Sequence, residues 1–263
     1  MDKIENLYVI KIGSNIIDDE DRLSSFLQLL SSIKGKKILV HGGGKLATKL
    51  ASDLNIPQQM VEGRRITDAE TLKIVTMVYA GYINKNIVAL LQSNGINAIG
   101  LTGADSNLIT AHKRRSSSVD FGFVGDIDLV NADMLNKMLN QDLTIVIAPI
   151  THDGKGQLLN TNADTIAQSI AVSICQHFKV TLVYLFEKAG VLLDVDNEAS
   201  VIVRLNPDMY QVYKSEEKIY AGMIPKIDNA FAALSQGVTR VIIGKAEELD
   251  KLISGNGGTS ISL

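Results

Sequence analysis

Six short apolar runs punctuate the chain: LYVIKI (7–12), KILV (37–40), INAIGL (96–101), LTIVIAP (143–149), VTLVYLF (180–186) and RVIIG (240–244). They are rich in β-branched residues and apolar at consecutive rather than alternate positions, the pattern of strands buried on both faces. Between them, apolar positions recur at helical spacing over 22–33, 45–54, 69–92, 132–140, 163–176, 224–236 and 246–254. Strand and helix in turn predict an α/β fold, a three-layer αβα sandwich around a central, largely parallel open sheet. Thr67-Asp68-Ala69-Glu70 fits a capping box opening the long helix over 69–92. Two stretches break the rhythm, 58–67 and 107–130, whose glycines and short alternating runs predict hairpins over one end of the sheet. No low-complexity linker divides the chain. A fresh strand–helix–strand run after residue 177 predicts an N-terminal lobe of residues 1–177 and a C-terminal lobe of 178–263.

Composition narrows the function. With 263 residues, 46% of them hydrophobic, the chain can bury a full core. A net charge of -3 with interspersed signs leaves no footprint for nucleic acid or an anionic membrane, and Lys113-Arg114-Arg115 is too short to alter that. No run approaches the roughly 18 apolar residues of a membrane span, and the start, MDKIENLYVIKIG, is unlike a signal peptide. The expected location is the cytoplasm. Cys175, the only cysteine, sits on an apolar helical face and is expected to be buried rather than reactive.

Candidate chemistry begins at ILVHGGGK, where a strand breaks into Gly42, Gly43 and Gly44 before a helical pattern. GxxxxGK[ST] has no match. Gly42 to Ala47 fits the looser GxGxxG/A dinucleotide fingerprint with Glu62 downstream, but it follows the second strand instead of the first, and Glu62 falls in a predicted hairpin. A tight turn needs one glycine; three before a helix start suggest backbone N–H groups offered to an anion. Cations accompany them. Lys11 interrupts an apolar strand just before Gly13, either as an edge-strand lysine reaching water or as a ligand group. Lys226 follows Pro225 at a predicted helix start, where the helix dipole disfavours a cation by some tenths of a kcal/mol unless an anion binds. Asn160, Asn162 and Asp164 cluster at another loop-to-helix transition, with Asn162 read as the helix cap. The four histidines form no evident triad or metal cluster, and His41 reads as a core or loop-fixing residue.

Lys11-Ile12-Gly13, Val40 to Gly44, GRRIT (63–67), GLTGAD (100–105), NTNAD (160–164), KAGVL (188–192) and AGMIPK (221–226) stand in the order and approximate spacing of the amino-acid kinase family, and the chain resembles that family over essentially its whole length. The resemblance is greatest to members that phosphorylate the γ-carboxylate of N-acetyl-L-glutamate, with N-succinyl-L-glutamate as a possible variant substrate. It implies that Lys11 and Lys226 contact the transferring phosphoryl group from opposite sides, that Asp164 holds both lysines, and that Gly13, Gly43 and Gly44 present backbone N–H groups. It implies that Arg65 pairs with a substrate carboxylate and Asn160 binds the acylated amino acid. ATP is expected along Glu187, Lys188, Gly190, Leu192, Tyr220, Gly222 and Met223 as well as the two lysines, with Mg²⁺ brought by its phosphates. A carboxylate acceptor is ionised at neutral pH and needs no general base.

The chain also departs from the family pattern. Ser14 replaces a second glycine after Lys11-Ile12-Gly13, and Phe186-Glu187 stands where Ser-Asp is usual. The alternatives are a glutamate 5-kinase-like enzyme, and a sensor of the same fold that binds an amino acid or nucleotide without turnover. Ten residues precede Lys11, without the additional helix that links arginine-inhibited relatives into rings; the expectation is a homodimer lacking that feedback, joined through the helix over 69–92.

Overall fold

The computed structural model describes residues 5–61, 64–115, 119–219 and 221–263, so Glu62, Gly63 and the expected nucleotide contact Tyr220 lie outside the described residues. All six apolar runs are strands of one eight-stranded sheet. Its order is Arg204–Leu205, Thr259–Ile261, Arg240–Lys245, Lys179–Phe186, Asn6–Ile12, Lys36–His41, Thr144–Ile147, Ala98–Leu101. Every neighbouring pair is parallel except Arg240–Lys245 with Thr259–Ile261. The two strands absent from the sequence reading are Arg204–Leu205, too short to show periodicity, and Thr259–Ile261, which has two hydroxyl residues in three positions.

Strand alternation sends side chains to two cores. From the first strand Leu7 and Val9 enter one core with the helices Ala163–Ile174 and Ile224–Ser235, while Ile10 and Ile12 enter the other with Glu20–Ser32 and Ala69–Thr76. A period of two therefore directs Lys11 to the face of Leu7 and Val9, beneath Ala163–Ile174. It is no edge residue, since its strand is paired on both sides.

The long third helix is continuous over Ala69–Ser93 but passes through a π-helical segment, Met77–Ile83. Against the sequence expectation it is long and apolar enough to cross a membrane. Leu72, Val75, Val78, Ile83, Ile87 and Leu91 are buried in the second core, which makes it a core helix. Its cap is Asp68, whose carboxylate accepts from the Thr71 N–H at 2.7 Å. Thr67, the expected capping residue, instead donates its hydroxyl to the Arg65 carbonyl. The helix Pro207–Ser215 was also missed, although Asn206 caps it and Pro207 opens it.

Both predicted hairpins form. Met60–Val61 pairs with Arg64–Arg65, and Ile109–Lys113 with Gly125–Val130. The second belongs to a four-stranded sheet completed by Ile150–His152 and Leu158–Asn160, a hairpin absent from the sequence reading. Cys175 is half-buried, its thiol 3.0 Å from the Val172 carbonyl.

Candidate active site

The first strand and Lys179–Phe186 lie side by side at the centre of the sheet, and the chain leaves them toward opposite edges. The crevice past their C-terminal ends is where an open parallel sheet offers a ligand site. Three helix starts meet there: Gly44–Asp53, Ala163–Ile174 and Ile224–Ser235.

Asp164 stands in the first turn of Ala163–Ile174, whose cap is Asn162, accepting from the Thr165 N–H at 3.1 Å. Lys226, in the first turn after Pro225, donates to Asp164 Oδ2 at 2.8 Å. The Lys11 ammonium lies 2.8 Å from Oδ1, yet Oδ1 has no aligned hydrogen bond, so this contact is an ion pair without a directed donor. Burial pushes the Asp164 carboxyl up, but the coulombic pull of Lys11 and Lys226 outweighs it and holds the group below its ordinary value. Two ammoniums against one carboxylate leave a net positive charge facing the crevice.

Two cavities open around this triad. One, of about 350 Å³, is lined by Lys11, Gly42 to Gly44, Arg65, Arg114, Asn160 and Asp164. The second, of about 250 Å³, is lined by Ile16, Leu185, Phe186, Leu192, Val195 and Met223, with Glu187, Lys188 and Gly190 at its wall. Gly13 lines both, and a Cβ built on it would meet nothing within 4 Å. Of the expected nucleotide contacts, Glu187, Lys188, Gly190, Leu192 and Met223 gather at the second cavity, whereas Gly222 is exposed and is not part of its lining.

The three glycines are needed for different reasons. At Gly43, with φ of 148°, a Cβ would come within 2.4 Å of Ile83 Cδ1 and 2.9 Å of Tyr79 Cδ1. The protein itself excludes a side chain there, a correction to a purely ligand-based account. At Gly44 the nearest atom to an added Cβ is Arg65 Nη2 at 3.8 Å, and Gly42 has similarly ordinary contacts. The helix that begins at Gly44 has no side-chain cap, so its first-turn N–H groups are open to an anion.

Arg65 is only 8% exposed, and its guanidinium donates to the Gly44 carbonyl at 2.9 Å, to Thr48 Oγ1 at 2.8 Å and to Gln58 Oε1. Among the described residues no carboxylate pairs with it. A buried, uncompensated guanidinium lining a polar cavity calls for an anionic ligand. Asn160 Nδ2 donates to Thr67 Oγ1 at 3.0 Å.

His41 is fully buried on the other face, where Asn84 Nδ2 donates to Nε2 at 3.2 Å and to the Val146 carbonyl at 3.1 Å. The Gly42 carbonyl accepts from Nδ1 at 2.8 Å, which assigns the neutral tautomer with the proton on Nδ1. Burial pushes the imidazole down to about 4. His41 thus fixes the glycine turn and does no proton chemistry at neutral pH. Sequence reasoning missed Asn84, Tyr79 and Arg114. Arg114, a basic residue in a predicted hairpin, gave a signal; Asn84 and Tyr79 lie in a helix whose folding direction the sequence leaves open. Among the described residues no group of three or more His, Cys, Asp or Glu side chains could hold a metal ion.

The chain is 56% identical over 254 residues to the acetylglutamate kinase of Cytophaga hutchinsonii, covering 96% of each. It is 52% identical over 246 residues to that of Parabacteroides distasonis, covering 94% of this chain and 96% of that protein. The solved N-acetylglutamate synthase from Neisseria gonorrhoeae, complexed with coenzyme A and N-acetyl-glutamate, superposes with a TM-score of 0.83 at 24% identity, which bears on the fold alone. The match covers 98% of this chain and 59% of that one. The sequence model of the amino acid kinase family matches residues 6–245. A match running from the strand that carries Lys11 to the strand beyond the helix that carries Lys226 settles the placement: this chain belongs to the amino acid kinase family.

Proposed function

We propose that the chain transfers a phosphoryl group from ATP to the γ-carboxylate of N-acetyl-L-glutamate, in arginine biosynthesis, giving an acyl phosphate. The observation that carries the site assignment is a pair of lysines sharing one carboxylate beside the buried, unpaired Arg65. A dicarboxylate acceptor answers both: one carboxylate pairs with Arg65 while the other faces the N–H groups at Gly43 and Gly44. Asn160 contacts the acylated amino group. The attacking carboxylate is already ionised, so the residues have charge and position to manage and no proton to remove.

Lys11 and Lys226 offset charge on the phosphoryl oxygens from two sides, and Asp164 fixes the lysines while cancelling one of their two charges. Gly13, between the cavities, leaves room and an N–H for the phosphates. The apolar second cavity takes the base and ribose, with Glu187, Lys188, Gly190, Leu192 and Met223 around them. Mg²⁺ carried by the nucleotide phosphates supplies further charge neutralisation when bound.

In this reading residues 1–177 hold the acyl amino acid and 178–263 the nucleotide. The enzyme works in the cytoplasm as a homodimer in contact along the helix Ala69–Ser93, a reading supported by the exposed Met77 and Tyr82. The test is hydroxylamine trapping of acyl phosphate with ATP and Mg²⁺, offering N-acetyl-L-glutamate, N-succinyl-L-glutamate and L-glutamate in parallel. Product with N-acetyl-L-glutamate is expected. Product with free glutamate alone, or with none of the three, overturns the proposal.

A further inference from the structure

Phe186 occupies one of the positions where this chain departs from its family's pattern. Parallel register pairs Lys11 with Tyr184, and Phe186 lies two residues further along that strand, on the same face and at the C-terminal edge. The Lys226 ammonium is 4.6 Å from the centroid of the Phe186 ring and the Lys11 ammonium 5.5 Å. Tyr184 stacks behind it, centroids 6.4 Å apart and planes 23° from parallel. Both ammoniums that meet at Asp164 therefore also meet at this ring.

We propose that Phe186 is a positioning residue of the phosphoryl site, holding Lys11 and Lys226 in place through its ring; this rests on the kinase reading above. Asp164 leaves the task incomplete. It receives a directed hydrogen bond from Lys226, but its Oδ1 has only the unaligned ion contact with Lys11. The negative face of an aromatic ring attracts a cation within about 6 Å of its centroid and carries no net charge. The difference matters at a site that binds anions. A second carboxylate here would hold the lysines equally well but would cancel the remaining positive charge. A ring fixes both ammoniums and leaves that charge for the phosphoryl oxygens. Phe186 also lines the apolar cavity, so the competing account is that it serves only as volume against the nucleotide.

Ring electrostatics and ring volume separate experimentally. Phe186→Leu keeps an apolar side chain without a π face, Phe186→Tyr retains the face, and mono-, di- and trifluorophenylalanine at position 186 weaken it stepwise at nearly constant shape. With N-acetyl-L-glutamate and ATP saturating, Phe186→Leu is expected to lower kcat about tenfold, the scale of two desolvated cation–π contacts. Phe186→Tyr should stay near wild type, and log kcat should fall steadily with fluorine number. A trifluorinated enzyme with wild-type kcat, or a Phe186→Leu enzyme that changes only the KM for ATP, overturns the proposal.

A second readout needs no turnover. In protein labelled with ¹³C-lysine, two ε-methylene signals should be displaced upfield by the ring current and return to ordinary positions in Phe186→Leu. If the wild-type chain makes no acyl phosphate, the kinase reading has failed, and these signals alone decide the ring contact. Their absence overturns it, and their presence upholds the holding of the lysines.

Discussion

Two cavities meet at Gly13 and could hardly differ more in kind. The one beneath the glycine helix is lined by Lys11, Arg65, Arg114 and Asp164, so what it binds must be anionic and is located by directed charges. Its neighbour is walled by Ile16, Leu185, Phe186, Leu192, Val195 and Met223, which hold a ligand by contact area without fixing any one atom tightly. Charged groups aimed at a reacting centre act most strongly in the transition state, whereas apolar area binds ground and transition states alike. Damage to the first cavity should therefore appear in kcat and damage to the second in the KM for ATP.

The largest test of that division is Lys226→Met. It removes a charge from the phosphoryl site and leaves Asp164 facing Lys11 alone. By comparison with other cationic groups that stabilise phosphoryl transfer, kcat should fall by about 10³ or more. Steady-state rates with both substrates saturating check this; a variant with intact kcat and a raised KM for ATP would erase the distinction between the cavities. Next comes a contrast inside the polar cavity. Gly44→Val should cost about 10²–10³ in kcat, as expected when donors to a developing charge are blocked. It should leave Tm nearly unchanged, because a Cβ there finds room. Gly43→Ala should instead lower Tm, since its methyl group meets Ile83 and Tyr79 and its backbone sits at φ of 148°. Equal Tm losses in the two variants would show that both glycines are structural.

The same contrast explains what could be read from the sequence. A lysine inside an apolar strand and three glycines before a helix are improbable as mere fold determinants, so Lys11 and Gly42 to Gly44 stood out before any coordinates. Leu185 and Met223 did not, because an apolar residue lining a cavity looks like one filling a core. The alternation of strands and helices was legible because every buried parallel strand is a run of apolar residues. Thr259–Ile261 escaped because its pairing with Arg240–Lys245 comes from tertiary context, beyond anything its three residues display. The reason for Gly43 was hidden too. It depends on Tyr79 and Ile83, some forty residues away in sequence, being turned toward it by the helix Ala69–Ser93.

A smaller effect concerns the seat of the polar cavity. His41 titrates near 6.5 in an unfolded chain and at about 4 in its buried position. Between those values the unfolded state binds more protons, so stability rises with pH across the window and is lost on acidification through it. Over the full span that is about 3 kcal/mol, at 1.36 kcal/mol per pKa unit. Denaturant titrations at intervals from pH 7 to 4.5 should show a steeper decline in wild type than in His41→Gln, which has no such group. Parallel curves would mean that His41 takes up its proton without cost, and the glycine turn would need another anchor. The leucines, valine and methionine of the second cavity have nothing to titrate.

Val195 gives the finest test, because it lines the apolar cavity yet is 46% exposed and so contributes little to the core. Val195→Ala removes two methyl groups from the wall proposed for the nucleotide. At about 0.8 kcal/mol per buried methylene-sized group, and with the side chain only partly covered, the loss should approach 1 kcal/mol, about fivefold in affinity. Because that area binds ground and transition states alike, the whole effect belongs in the KM for ATP, with kcat and the KM for N-acetyl-L-glutamate unchanged. Initial rates over a matrix of both substrates resolve a fivefold change. A fall in kcat of that size would mean that the loop bearing Val195 helps place the phosphates, and the boundary between charge and contact area would then lie deeper in the second cavity than Gly13.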